Sequence, residues 1–165
     1  MNTYKVYFEN SVYVITGIVL LFTAALFCFL FYRKVSISDK YSLIITLSIV
    51  IFTIGTFVIV LLYAPKSYII TPEQIIINKV WGAITIDKAD IEAIEPITDK
   101  DLSGCFRKFA SGGLFGYIGK FNSPKLGDFY MYAGTTKAQK LLSIKLKNGK
   151  RYVISPKCSQ IEMNL

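Results

Sequence analysis

Two stretches without a charged residue, 12–32 and 41–64, constrain everything else about this chain. They are 21 and 24 residues long and dense in Leu, Ile, Val and Phe. As helices they extend about 31–36 Å, enough for a hydrocarbon core roughly 30 Å thick. Charge brackets both: Glu9 before, Arg33, Lys34, Asp39 and Lys40 between, Lys66 after. A backbone in lipid must satisfy its own hydrogen bonds, so two helices are the economical solution. A cleaved signal peptide needs a basic start, a shorter apolar stretch and a small-residue cleavage site, but this first run continues through Phe31 and Tyr32. We therefore expect an N-terminal segment and membrane hairpin over residues 1–65, with helices at about 12–32 and 41–64. A single further domain is expected over 66–165.

Charge and residue types narrow the function classes. Residues 66–165 carry 15 Lys+Arg against 9 Asp+Glu, a net of +6, and the first 65 residues carry 4 against 2. For a basic domain tied to a membrane, an anionic lipid surface is the first partner to consider. Nucleic acid has only charge to recommend it. With no histidine, the usual general base and the commonest metal ligand are missing. Cys28, Cys105 and Cys158 lie far apart with no metal-like spacing, which favours a reducing compartment. Basic residues near the helix ends tie, three (Arg33, Lys34, Lys40) against three (Lys5, Lys66, Lys79), so the positive-inside rule sets no orientation. The cysteines and the basic domain tip the expectation toward both termini on the cytoplasmic side. Neither run holds Asp, Glu, Lys or Arg, which argues against transport. Thr16, Gly17, Thr23, Ala24 and Ala25, with Thr46, Ser48, Thr53, Gly55 and Thr56, suit close helix packing.

Beyond Pro65 the pattern changes to short β-branched runs. Residues 67–71 and 74–80 flank the turn signal Pro72-Glu73, and 83–86 continues as strand. Asp87-Lys88-Ala89-Asp90 forms a helical turn before another strand near Ile91. Residues 98–111 read as a connection. Further pairs are 114–122 with 127–133 and 141–147 with 150–154. The last pair is joined by Asn148-Gly149, a strong hairpin signal that predicts a type I′ turn. Leu142, Ile144 and Leu146 share one face, with Ser143, Lys145 and Lys147 on the other. About seven strands at this spacing predict a small antiparallel barrel or sandwich.

The run Arg107-Lys108-Phe109-Ala110-Ser111-Gly112-Gly113-Leu114-Phe115-Gly116-Tyr117-Ile118-Gly119-Lys120-Phe121 resembles one typical of bacterial pleckstrin-homology-like domains. So does Lys150-Arg151-Tyr152-Val153-Ile154-Ser155-Pro156 after Asn148-Gly149, and the likeness extends over about 67–158. The resemblance implies two nearly orthogonal sheets with about seven antiparallel strands and a short C-terminal helix. It also fits members that carry membrane helices. The stretch after Pro156 is shorter than the family's closing helix.

Candidate sites are few. Gly119-Lys120 is followed by Phe121, so the P-loop pattern fails, and the glycines read as structural. Phe115, Tyr117, Phe121, Phe129, Tyr130 and Tyr132 read mainly as core and cross-strand pairs. Asp87 with Asp90, and Asp99 with Asp101, read as turn and capping residues. No catalytic, cofactor or metal site is expected. The candidate contacts to an anionic surface are Arg107, Lys108, Lys120, Lys125, Lys145, Lys150 and Arg151. The expected function is a membrane-anchored, non-enzymatic binding or assembly module at anionic lipid. The competing expectation is a scaffold that binds a protein partner or itself through strand edges.

Overall fold

The computed structural model describes residues 2–32 and 40–157. Helices α1 (Asn10–Tyr32) and α2 (Lys40–Tyr63) coincide with the two uncharged runs. Both are long and apolar enough to cross a membrane, and almost none of their residues is buried. Leu21, Phe22, Ile51 and Phe52 are each about 70% exposed or more. Core helices of a soluble protein would hide such side chains; these present them all round. Neither Gly17 nor Gly55 marks a close contact: a Cβ on either meets nothing within 4 Å. Thr23, Thr53 and Thr56 instead bond their own helix, to the carbonyls of Val19, Ile49 and Phe52. The basic loop at 33–39 lies outside the described residues.

Among the described residues, ten strands form two sheets. In the first, β1 (Asn2–Lys5), β2 (Pro65–Ile70), β3 (Gln74–Lys79) and β4 (Ala83–Asp87) are neighbours in that order. The hairpin is thus the connection between two adjacent strands. The pairs run from Asn2↔Ile70 to Lys5↔Ser67. The chain then continues into a bridge of Val6 with Pro156 and another of Phe8 with Gly134. The second sheet contains β5 (Ile91–Pro96), β6 (Phe106–Gly112), β7 (Tyr117–Ser123), β8 (Gly127–Ala133), β9 (Leu142–Leu146) and β10 (Arg151–Ile154), in the order β5-β9-β10-β8-β7-β6.

The mainly β architecture after two apolar helices is therefore as the sequence implies, with three differences. There are ten strands among the described residues rather than about seven. One pair, β10 with β8, is parallel, because β10 returns into the gap between β9 and β8. The Asn148-Gly149 turn is also not type I′. Only Gly149 takes a positive φ (81°), and its N–H donates to the Leu146 carbonyl. That is a type I turn followed by a left-handed glycine, which also matches strand twist. The expected C-terminal helix falls on residues 158–165, outside those described.

Side-chain alternation gives the second sheet two apolar faces. Ile118, Tyr132, Ile144, Leu146 and Ile154 meet Tyr68, Ile75, Ile77 and Ile86 of the first sheet. On the reverse face Phe121, Phe129, Met131, Ala133 and Val153 are covered by Ile97, Ala138 and Leu141, with Leu102 of the short helix α3 (Asp99–Leu102) beside them. Phe121 and Phe129 stack with centroids 5.9 Å apart. As predicted for Asp101, its carboxylate accepts from the Thr98 N–H at 2.8 Å and caps α3; these Thr98 bonds hold its pKa below the usual value.

Tyr68 ties the layers together at the core. Its hydroxyl donates to the Tyr132 carbonyl at 2.6 Å and accepts from the Ser155 N–H at 3.2 Å. Burial pushes its pKa up to about 12. Tyr68→Phe is expected to lower stability by about 1–3 kcal/mol, since buried backbone groups lose their partner. Denaturant unfolding in matched detergent measures this.

Candidate membrane interface

The glycine-rich run forms the tip between β6 and β7, and this tip is built onto the helices. The Thr16 hydroxyl on α1 donates to the Gly113 carbonyl at 3.3 Å and accepts from the Phe115 N–H at 3.1 Å. Ser111 donates to the Leu114 carbonyl, and the Gly113 N–H donates to the Gly116 carbonyl. A Cβ on Gly113 would lie 2.7 Å from Ile15 Cδ1, so glycine permits the close approach. Phe115 packs edge-on against Phe57 of α2, centroids 6.5 Å apart. Thr16 and Phe57 each lie six residues from the sheet-proximal end of their helix, about 9 Å along it. Backbone at such a depth is tolerated in a membrane only when its polar groups are satisfied by protein. Thr16 does this for two of them.

Sequence reasoning assigned Thr16 to helix packing and missed this role, which depends on a partner almost 100 residues away. Thr16→Val keeps the shape and the β-branch but removes the hydroxyl. The variant is expected to lose about 1 kcal/mol, with faster amide exchange at Phe115 than at β8 residues. Hydrogen exchange by mass spectrometry resolves the two.

Beside the tip, a groove of about 990 Å³ runs between α2 and the second sheet. Thr56, Ile59, Val60 and Tyr63 form its helix wall. The facing wall includes Phe109, Ala110, Ile118, Tyr130 and Tyr132. Three of the seven predicted cations, Arg107, Lys108 and Lys120, also line it. A β-bulge between Arg107 and Phe109 re-aims this edge strand. Lys108 and Lys120 both reach Asp128, at 2.6 and 2.9 Å. These bonds, with one from Asn122, hold the Asp128 pKa far below the carboxylate range, and Asp128 raises that of Lys120. The Arg107 guanidinium lies over Gly112 on the reverse face of the sheet, the face of Phe121 and Ala133, and does not join the two lysines.

The other four predicted cations do not join this group. Lys125 is 3.4 Å from Asp101, and it lines a second groove of about 300 Å³ together with Arg151, Glu95 and Ser143. Arg151 donates to Ser143 Oγ at 3.1 Å. Lys145 pairs with Glu92, and Lys150 sits in the β9–β10 turn. Strand polarity separates the sets, because Lys120 shares a sheet face with Tyr130 whereas Lys145 and Arg151 lie on the opposite face.

A third element sits at the sheet-proximal end of α2. At the β3–β4 turn, the Val80 N–H donates to the Ala64 carbonyl and the Trp81 N–H to that of Leu62. This fixes the chain's sole tryptophan, 70% exposed, beside the last turn of α2. Lys79 Nζ lies 4.7 Å from the centre of the Tyr63 ring. Trp, Tyr and Lys at a helix end are typical interfacial anchors. Among the described residues no cluster of three or more His, Cys, Asp or Glu could hold a metal ion.

Residues 66–163 match the model described as Bacterial PH domain. The chain belongs to that family. No curated protein and no solved structure matches it. In this bacterial PH domain protein the matched segment begins one residue after Pro65, the first residue of β2. The partner strand β1 comes from the other end of the hairpin.

Proposed function

We propose that this bacterial PH domain protein is a membrane-anchored binding and assembly module without enzymatic activity. The helices cross the bacterial inner membrane, and the β unit lies against anionic lipid on the cytoplasmic side. The observation that carries this is the placement of the hairpin between paired strands β1 and β2. That pairing keeps residues 2–5 and the whole β unit on one side of the bilayer. The Thr16 bonds and the Trp81 turn then set the unit close against the surface. The interspersed charges on β9 and β10 serve solubility, and Lys108 and Lys120 face the lipid.

Full-length protein in vesicles tests the proposal through Trp81 fluorescence with brominated lipid as quencher. Quenching that is deeper with anionic than with neutral lipid, and that weakens as salt rises, is the expected result. A solvent-exposed, unquenched Trp81 would refute the seating.

A second reading is favoured by one observation. Edge strand β6 carries Phe106 and Phe109, 54% and 88% exposed. Such an edge can pair with a protein partner or another copy of the chain. Association through it is expected to persist at high salt, which lipid attraction does not.

A further inference from the structure

We propose that the groove between α2 and the second sheet holds one anionic phospholipid, with its phosphate on Lys108 and Lys120 and an acyl chain along Ile59 and Val60. This deepens the function proposed above and rests on the helices crossing a bilayer.

Three observations specify the occupant. First, the helix wall from Thr56 to Tyr63 belongs to the apolar stretch Ile44–Tyr63 that is long enough to cross a membrane. The groove therefore opens sideways onto lipid, along about 10 Å of helix. Second, its chemistry is divided as a phospholipid's is. Ile59, Val60, Ile118 and Phe109 give an apolar channel, and the cations stand on the β6 and β7 wall. Third, the charge there is unbalanced. Against Lys108 and Lys120 stands the single Asp128 carboxylate, leaving a local excess of one positive charge. Asp128 holds the lysines 2.6 and 2.9 Å away, ready to be shared with a phosphate. Phe109, 88% exposed, stands at the groove as an apolar flank against acyl chains. The volume is that of a site for one elongated ligand.

The test uses full-length protein in detergent, given equal phosphatidylglycerol and phosphatidylcholine and examined by native mass spectrometry. The parent is expected to retain one phosphatidylglycerol in preference to phosphatidylcholine. Each lysine removed should reduce that preference about fivefold, so K108Q/K120Q should come close to none. Asp128→Asn removes the competing carboxylate and should strengthen retention several-fold. A merely structural ion pair would not produce that gain. Ile59→Trp fills the channel and should reduce retention of both lipids. The Lys108 and Lys120 side chains are 42% and 38% exposed, so their loss leaves folding intact, and a thermal melt of each variant verifies this.

Equal retention of both lipids by the parent, or unchanged retention in both K108Q/K120Q and Asp128→Asn, would overturn the assignment. Alkaline extraction of membranes separates this from failure of the underlying reading. Protein that stays in the pellet yet shows no lipid preference defeats only the groove. Protein released into the supernatant defeats the membrane anchor and the groove together.

Discussion

A chain beginning at Lys66 is expected to be unfolded or aggregated on its own. A chain in which residues 2–9 are joined to residue 64 by a short Gly/Ser linker is expected to fold without the membrane helices. The shorter chain lacks β1, and β2 then becomes an open edge available for aggregation. It also loses Val6, which is 6% exposed in the core, a burial of about 1.5–3 kcal/mol. Gone as well are the bonds from Tyr7 N–H to the Ser155 carbonyl, Glu9 N–H to that of Gly134, and Lys157 N–H to that of Lys5. At about 1 kcal/mol each, these losses rival the whole stability of a small domain, about 5–15 kcal/mol.

The contribution of residues 2–9 continues at Glu9. It accepts from Thr135 Oγ1 at 2.8 Å and pairs with Lys137 at 3.1 Å, and these bonds lower its pKa. Size-exclusion chromatography and circular dichroism of the two chains decide the matter. A monodisperse 66–165 fragment, with unfolding like that of the joined chain, would show that β1 is dispensable. We propose that the folding unit is the matched segment together with residues 2–9.

The second large effect is expected at Gly119. Its φ is +120°, a conformation essentially reserved for glycine. A Cβ there would overlap the Phe109 carbonyl oxygen and stand 2.7 Å from Ala110 Cα. These are backbone atoms of the adjacent strand, so no rotamer change relieves the overlap. Gly119→Ala should therefore either part β6 from β7 or cost about 3 kcal/mol or more, combining strain with steric displacement. Because Lys108 and Lys120 sit on these two strands, the same variant should also disorder the cationic wall of the groove. Thermal unfolding, with hydrogen exchange over 106–123, measures both. A change within 0.5 kcal/mol would mean that the bulged pairing around Gly119 is wrong.

The sequence alone shows the parts of the fold that rest on local physics. The absence of charge over two helix lengths specifies α1 and α2, because burying a charge in hydrocarbon is prohibitive. The alternation of Phe129, Met131 and Ala133 with Tyr130 and Tyr132 marks β8 as two-faced, and Asn148-Gly149 marks the last hairpin. Asp101 as a cap and Lys88–Asp90 as a helical turn are likewise local. The glycine run is legible as structural, because its spacing fails the phosphate-binding pattern.

Only the tertiary structure decides the rest, since the partners are distant in sequence. Strand β1 is four residues of ordinary composition, and its strand character comes from Ser67–Ile70 across the hairpin. Strand β6 lacks a clean alternation because it is a bulged edge, so its sequence reads as a connection. Thr16 looks like any small residue in an apolar helix until the 113–115 backbone is placed against it. Likewise seven cations of equal appearance in sequence divide into separate groups. Strand register sends Lys120 toward α2 and Lys145 and Arg151 to the other face, and pairing across the sheet cannot be computed from a single strand's pattern.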